Sequence, residues 1–319
     1  MNGPATTSGA PDGDEESLIC SASGVSSALP SSQRCIGEMP KILAGRYCLE
    51  RLLGAGGMGV VYRARDLLHE QYGDPDPYVA VKMLSEELGD APDAGALLYS
   101  EFALSRRLSH PNVLRPYTFE VDAAQRRVFI TMELMRGLTL DKLLCESPLG
   151  LPWPELKPIA IPLLDAIAHT HGRGVVHGDI KPSNVMLSAE GVRLFDFGLG
   201  LTEEGPLKGL PSLNRQRLDA WTPAYAAPEL LEGSPLSACT DLYSLACVLY
   251  ELASGRHPYR RLPSTQARDT GLERELKAPR NLPRRYWTAL RTALALDPER
   301  RSISVTQLRA LMAGGSFWW

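Results

Sequence analysis

The chain has 319 residues, 44% of them hydrophobic and 22% charged, enough to bury one large core or two modest ones and so to build a two-lobed body. With 34 Lys and Arg against 37 Asp and Glu, its formal net charge of -3 leaves no electrostatic footprint for nucleic acid. Its six cysteines (Cys20, Cys35, Cys48, Cys145, Cys239 and Cys247) fall in no CxxC or other metal-ligand spacing and read as free thiols of a reducing cytosol. The most apolar segment, 242–253, is broken by Glu251 and is too short to span a bilayer. The N-terminus lacks the basic region and apolar run of a secretory signal, so a soluble, cytoplasmic chain is expected.

Residues 1–44 are rich in Ser, Gly, Pro and Ala, carry the acidic run Asp12-Gly13-Asp14-Glu15-Glu16 and show no period; a disordered tail is expected there. Order is expected from Arg46, where the strand-like run 46–53 leads into Gly54-Ala55-Gly56-Gly57-Met58-Gly59-Val60-Val61-Tyr62. Glycines 54, 56 and 59 form a GxGxxG whose backbone can approach phosphates closely. In dinucleotide-binding folds the same pattern opens a helix, whereas here Val60-Val61-Tyr62-Arg63-Ala64 continues as strand, which favours a strand-loop-strand lid. The connection 67–77, with the turn Asp74-Pro75-Asp76-Pro77, has no assigned role. The strand 78–84 carries Lys82 within an apolar alternation, where a lone Lys ordinarily faces solvent. Helical spacing over 97–108 carries Glu101 and stops at Ser109-His110-Pro111-Asn112. Strands over 114–121 and 127–133 follow and end at Leu134-Met135-Arg136-Gly137.

From Thr139 the pattern is helical, over 139–146 and 153–171, with Pro158 and Pro162 inside the second segment predicting a late start or a kink. The apolar pair Val175-Val176 then delivers His177-Gly178-Asp179-Ile180-Lys181-Pro182-Ser183-Asn184 into a loop, and a second apolar strand, 192–195, delivers Asp196-Phe197-Gly198 beside it. Two carboxylates, an ammonium and a carboxamide in one place suit phosphoryl transfer, where catalysis is mainly positioning and neutralisation of spreading negative charge. In that chemistry Asp179 orients and deprotonates an attacking hydroxyl, Lys181 sits against the transferred phosphate, and Asn184 with Asp196 offers hard oxygens to Mg²⁺. A long loop, 199–225, contains Thr202, Ser212 and Thr222 and ends at Ala227-Pro228-Glu229. The segment 241–253 is an all-round apolar helix stopped by Ser254-Gly255. The terminal Phe317-Trp318-Trp319 either docks or, as chain ends ordinarily do, stays disordered.

Taken in order, these motifs over residues 46–312 resemble the eukaryotic-like (Hanks-type) serine/threonine protein kinases of bacteria. The resemblance implies an α+β, bilobal protein-kinase-like fold: a small antiparallel-sheet lobe with one main helix over 45–135, a larger helical lobe over 136–313, a tail at 314–319, and ATP clamped between the lobes. It assigns Lys82 to the α- and β-phosphates and to an ion pair with Glu101. It assigns Leu53, Gly54, Gly56, Gly59, Val61, Ala80, Met132, Glu133, Met135 and Met186 to the nucleotide, with Met132 as gatekeeper and 133–135 as the hinge that reads adenine. Asn184 and Asp196 take Mg²⁺ or Mn²⁺, Thr222 hydrogen-bonds Asp179 and Lys181, Asp241 braces the HGD turn, and Glu229 pairs with Arg301. The implied reaction is transfer of the ATP γ-phosphate to protein Ser/Thr hydroxyls, autophosphorylation included. ATP, protein substrates and a cognate protein phosphatase are the implied partners.

Two positions depart from the family pattern. Gly178 stands where Arg is usual before the catalytic Asp, which weakens the case for a phosphorylation-dependent switch, so Ala at Thr202 and Ser212 is expected to reduce activity only mildly. Trp221 stands where Gly is usual. Among rival readings, an aminoglycoside-type phosphotransferase lacks the equivalents of Lys181 and Glu229, and a pseudokinase is expected to lack Lys82, Asp179 or Asp196. A scaffold acting through either chain end is a third reading.

Overall fold

The computed structural model describes residues 19–20, 41–56, 59–84, 94–197, 200–202 and 222–314. The N-terminal lobe is one sheet made of β1 (Ile19–Cys20), β2 (Ile42–Leu43), β3 (Tyr47–Gly56), β4 (Gly59–Asp66), β5 (Tyr78–Met83), β6 (Pro116–Asp122) and β7 (Arg127–Glu133). Their order is β1-β3-β4-β5-β7-β6, with β2 on β3, and all pairings are antiparallel except that of β1 with β3.

Two of these strands correct the expected boundary of the N-terminal tail. β2 pairs with Tyr47 and Cys48, and Leu43 is fully buried beside Tyr47, Met83 and Phe129, because an apolar side chain there covers one face of the sheet. β1 lies alongside Gly54 and Ala55. The rest of the tail, 1–18 and 21–40, and the terminal Phe317-Trp318-Trp319 lie outside the described residues.

The connection after β4 holds a short helix, α1 (Leu67–Gln71). Its start is set by Asp66, whose Oδ1 accepts from the Leu68 and His69 N–H groups while Arg46 holds the carboxylate at 2.9 and 2.6 Å. The main helix of this lobe, α2 (Ala94–Arg106), buries Leu98 and Phe102 against Leu53, Ala80, Ile130 and Met132.

The second lobe is helical. β8 (Gly137–Thr139) leads into α3 (Leu140–Glu146) and α4 (Trp153–Gly172), and β9 (Val175–Val176) pairs with β12 (Leu201–Thr202). β10 (Val185–Ser188) is sandwiched between β11 (Gly191–Leu194) and β8. The core helix α6 (Ala238–Ser254) follows α5 (Pro228–Leu231), and α7 (Ser264–Asp269), α8 (Arg284–Ala293) and α9 (Val305–Met312) complete the lobe. α6 opens on a capping box between Ser237 and Thr240 and closes on Gly255 in the left-handed region, φ +69. Between these caps Leu242, Leu245, Val248, Leu249 and Leu252 are all buried, as its apolar sequence predicts.

α4 departs from expectation: it starts at Trp153 and runs unbroken through Pro158 and Pro162. Pro154 and Pro158 sit four residues apart on the exposed side and Pro162 is only half-buried. The prolines therefore lie off the packed side, while Leu156, Ile159, Leu163 and Ile167 keep the buried side packed. No described helix is long and apolar enough to cross a membrane.

Candidate active site

The glycine lid forms at the turn between β3 and β4, where Gly56 pairs with Gly59. Gly59 is needed for close approach: a Cβ on it would lie 2.3 Å from the Met83 carbonyl oxygen at the end of β5. Gly59→Ala should push the lid off β5 and lower kcat/KM for the nucleotide by up to about 100-fold, with the KM for the acceptor unchanged in steady-state titrations. Gly57 and Met58 lie outside the described residues.

Behind the lid, four of the expected nucleotide-lining residues share one cluster. Leu53, Ala80 and Met132 are buried in one cluster with Val61 packed on it, and Met186 is buried on β10 in the other lobe. Glu133 closes β7, its N–H donating to the Arg115 carbonyl and its Oε1 accepting from the Arg115 N–H. Among the described residues nothing hydrogen-bonds the main chain of half-buried Met135, so its N–H and C=O are available to a ligand edge.

Lys82, on β5, donates to Glu101 Oε1 at 2.6 Å and to Asp196 Oδ1 at 2.8 Å, joining a strand, a helix and a loop of the other lobe. Burial works against the ammonium, but the charges of Asp196 and Glu101 outweigh it and keep Lys82 protonated. Burial also pushes Asp196 up, yet the charge and hydrogen bond of Lys82 hold it well below the usual carboxylate range. For Glu101, burial and the Asp196 charge prevail over Lys82, and its carboxyl rises. One ammonium between two carboxylates leaves this corner of the cleft net acidic. Asp196 itself sits at φ +68, a conformation Asp tolerates better than most residues but which still costs about 1–2 kcal/mol.

The HGD turn is suspended from α6. Asp241, 1% exposed, accepts from His177 N at 2.8 Å and Gly178 N at 2.9 Å, and its Oδ2 also meets His171 Nε2 at 2.8 Å. Gly178 has φ +85, so the departure from the family pattern places glycine where a side chain would be strained. His177 takes the Asp179 N–H on Nδ1, which leaves Nε2–H to donate to the Phe195 carbonyl and ties the two loops together. The sequence reading did not assign roles to His171 and His177; both flank an apolar pair that enters the loop, a signal too generic to single them out.

Asp179 is held on both oxygens. Lys181 Nζ lies 2.7 Å from Oδ2 and donates to Thr222 Oγ1 at 3.1 Å, while the Thr222 hydroxyl donates to Asp179 Oδ1 at 3.3 Å. Asn184 Nδ2 donates to the Asp179 carbonyl at 2.8 Å and to Oδ2 at 3.2 Å. This leaves Asn184 Oδ1 and Asp196 Oδ2 without hydrogen-bond partners among the described residues. Two hard oxygens in an acidic corner fit a divalent cation that takes the rest of its shell from phosphate and water.

Thr222 begins a short platform, 222–227, fixed from below. The Ser244 hydroxyl donates to the Tyr225 carbonyl, the Ser264 hydroxyl to the Ala226 carbonyl, and the Tyr225 hydroxyl to buried Glu251. The sequence offered one trace of this network, because Glu251 is the charge that interrupts the apolar run of α6. Glu229, just past the platform, makes a bidentate pair with Arg301 at 2.5 and 2.6 Å. Gly198, Ser212 and Trp221 lie outside the described residues, and Thr202 is described only by its backbone.

His257 packs edge-on against Tyr225, and burial, helped by the Arg261 charge, pushes its imidazole down to about 3. An unfolded His titrates near 6.5, so below that value the unfolded chain binds the extra proton and stability falls with falling pH. Lowering the pH from 6.5 to 5 should cost about 2 kcal/mol through this group, and His257→Asn should flatten that slope in urea denaturation at the two pH values.

Residues 47–310 match the family model described as the protein kinase domain. The serine/threonine-protein kinase PkaA of Streptomyces coelicolor is 32% identical over 283 residues, covering 84% of this chain and 50% of PkaA. The serine/threonine-protein kinase PknB of Mycobacterium tuberculosis is 32% identical over 292 residues, covering 85% of this chain and 43% of PknB. The chain thus spans half or less of the length of these two relatives. In structure it is similar to the kinase domain of PknI from Mycobacterium tuberculosis, with a TM-score of 0.60 and 25% identity, over 87% of this chain and 98% of that one. With the glycine lid, the Lys82–Glu101 pair and the suspended HGD loop in one cleft, the chain belongs to the protein kinase family, in its bacterial, Hanks-type serine/threonine branch.

Proposed function

We propose that this chain is an ATP-dependent serine/threonine protein kinase, and the observation that carries the proposal is the triangle of Asp179, Lys181 and Thr222. A carboxylate held on both oxygens is oriented to accept a proton from an acceptor hydroxyl, and Lys181 beside it neutralises charge on the transferred phosphoryl group. Lys82, kept in place by Glu101, holds the α- and β-phosphates, and the Met135 main chain takes the adenine edge. Asn184 and Asp196 would hold Mg²⁺ or Mn²⁺, which would supply positive charge against the nucleotide phosphates. The platform 222–227 seats the acceptor chain, with Thr222 linking it to Asp179.

Autophosphorylation, a cognate phosphatase and residence in a reducing cytosol belong to the same proposal. The compartment is supported by Cys48, Cys145, Cys239 and Cys247, all free thiols. The test is incubation of the purified chain with labelled ATP, Mg²⁺ or Mn²⁺ and a generic acceptor protein, followed by phosphoamino-acid analysis. Label on Ser or Thr is expected in both the acceptor and the chain. No incorporation, with ATP still bound, would favour the pseudokinase reading.

A further inference from the structure

Directly after α6 the chain makes an unusual turn: Arg260 and Arg261 both have left-handed backbones, φ +55 and +60. Glycine would take either position without steric cost, so the identity of these side chains calls for a reason. Among the described residues Arg260 pairs with Glu275, and both side chains of that pair are well exposed. The Arg261 side chain is also well exposed, at 62%, but the carboxylate it meets is buried. Arg261 Nη2 lies 2.6 Å from Oε1 of Glu251, a carboxylate 2% exposed whose other oxygen accepts from the Tyr225 hydroxyl.

The turn is also fixed to the platform at other points. His257 Nδ1 accepts the N–H groups of Tyr259 and Arg261, each at 3.1 Å, and its ring meets Tyr225 edge-on at 5.0 Å. One turn later Ser264 bonds the Ala226 carbonyl through its hydroxyl and the Pro223 carbonyl through its N–H. In this arrangement Arg261 is the cation 2.6 Å from the buried Glu251 carboxylate under the platform. Without it that carboxylate has no other ion-pair partner among the described residues, and its bond to Tyr225 loosens as the carboxylate shifts toward water.

We infer that Arg261 is a positioning residue for the protein acceptor: by neutralising Glu251 it holds Tyr225, and with it the platform that links Thr222 to Asp179. The inference rests on the reading of 222–227 as the acceptor seat. It accounts for an arginine at a left-handed position, because the guanidinium there is the ion-pair partner of the buried Glu251 carboxylate.

Arg261→Gly removes the charge while relieving the strain, so a loss in this variant comes from the missing side chain and not from the backbone. Initial rates of the full chain are measured against acceptor protein and against ATP. The KM for acceptor should rise about tenfold, the scale of one charge-assisted hydrogen bond, with the KM for ATP unchanged. Adding Glu251→Gln should restore most of the acceptor KM, since an amide oxygen still accepts from Tyr225 and needs no counter-charge. An unchanged acceptor KM in Arg261→Gly, or a parallel rise in both KM values, overturns the inference. Should Arg261→Gly fail to fold by circular dichroism, the Arg261→Gly/Glu251→Gln pair gives the decision, a near-wild-type acceptor KM supporting it and a raised one overturning it. A wild-type chain that binds ATP but labels no acceptor would defeat the kinase reading instead.

Discussion

Replacing Asp179 with Asn should slow phosphoryl transfer by about 10²- to 10⁴-fold while leaving nucleotide affinity near the wild-type value. The amide keeps the shape of the carboxylate and still accepts from Thr222, so the loop that hangs from Asp241 stays in place. What is lost is the proposed acceptor of the hydroxyl proton and the counter-charge 2.7 Å from Lys181. Lys82→Met should fail differently, leaving Glu101 and Asp196 as two uncompensated carboxylates and weakening ATP binding itself. Single-turnover rates together with equilibrium nucleotide titration separate these outcomes. Wild-type turnover in Asp179→Asn would remove Asp179 as the base.

The second large effect is on stability. Glu229→Ala should cost about 3–5 kcal/mol in urea denaturation, because it strands a guanidinium whose side chain is 0% exposed. Arg301 also donates from Nε to the Ala295 carbonyl at 2.7 Å and from Nη1 to the Cys239 carbonyl at 3.2 Å, so it cannot swing out to water without breaking the chain contacts around α6. Replacing both partners together, Glu229→Leu with Arg301→Met, should cost much less than either single change, since no buried charge is left behind. A Glu229→Ala loss below about 1 kcal/mol would show that water reaches the pair and that it behaves as a surface ion pair.

The positioning reading of Arg261 bears on both results. Asp179 and Glu229 lie on either side of the same platform, and the Tyr225–Glu251–Arg261 chain fixes it between them. A defect in acceptor binding alone would therefore point to the platform, whereas a loss of turnover at saturating acceptor points to Asp179.

Much of the site was legible because its pieces are local. The glycine pattern before a strand, a Lys inside an apolar alternation, the HGDIKPSN run and the DFG triplet each announce themselves within a few residues, since short apolar strands must end in the loops that carry the polar groups. The apolar character of 241–253 likewise allowed only a core helix. Periodicity could not reveal the burial of Leu43, which depends on what the far side of the sheet leaves uncovered. Nor could it show that prolines four residues apart can share one wet side of α4 and leave the helix intact.

By itself, then, the order of residues determined the candidate groups for the chemistry and the elements that deliver them, because strand and helix periods are properties of neighbouring side chains. The tertiary structure alone decided charge contacts that no motif implies. Lys82 reaches Asp196 from 114 positions away, and Arg261, at φ +60 after α6, meets the buried carboxylate of Glu251. Pairings of that kind follow from chain closure and burial, where a charge is stable only if a distant partner arrives with it.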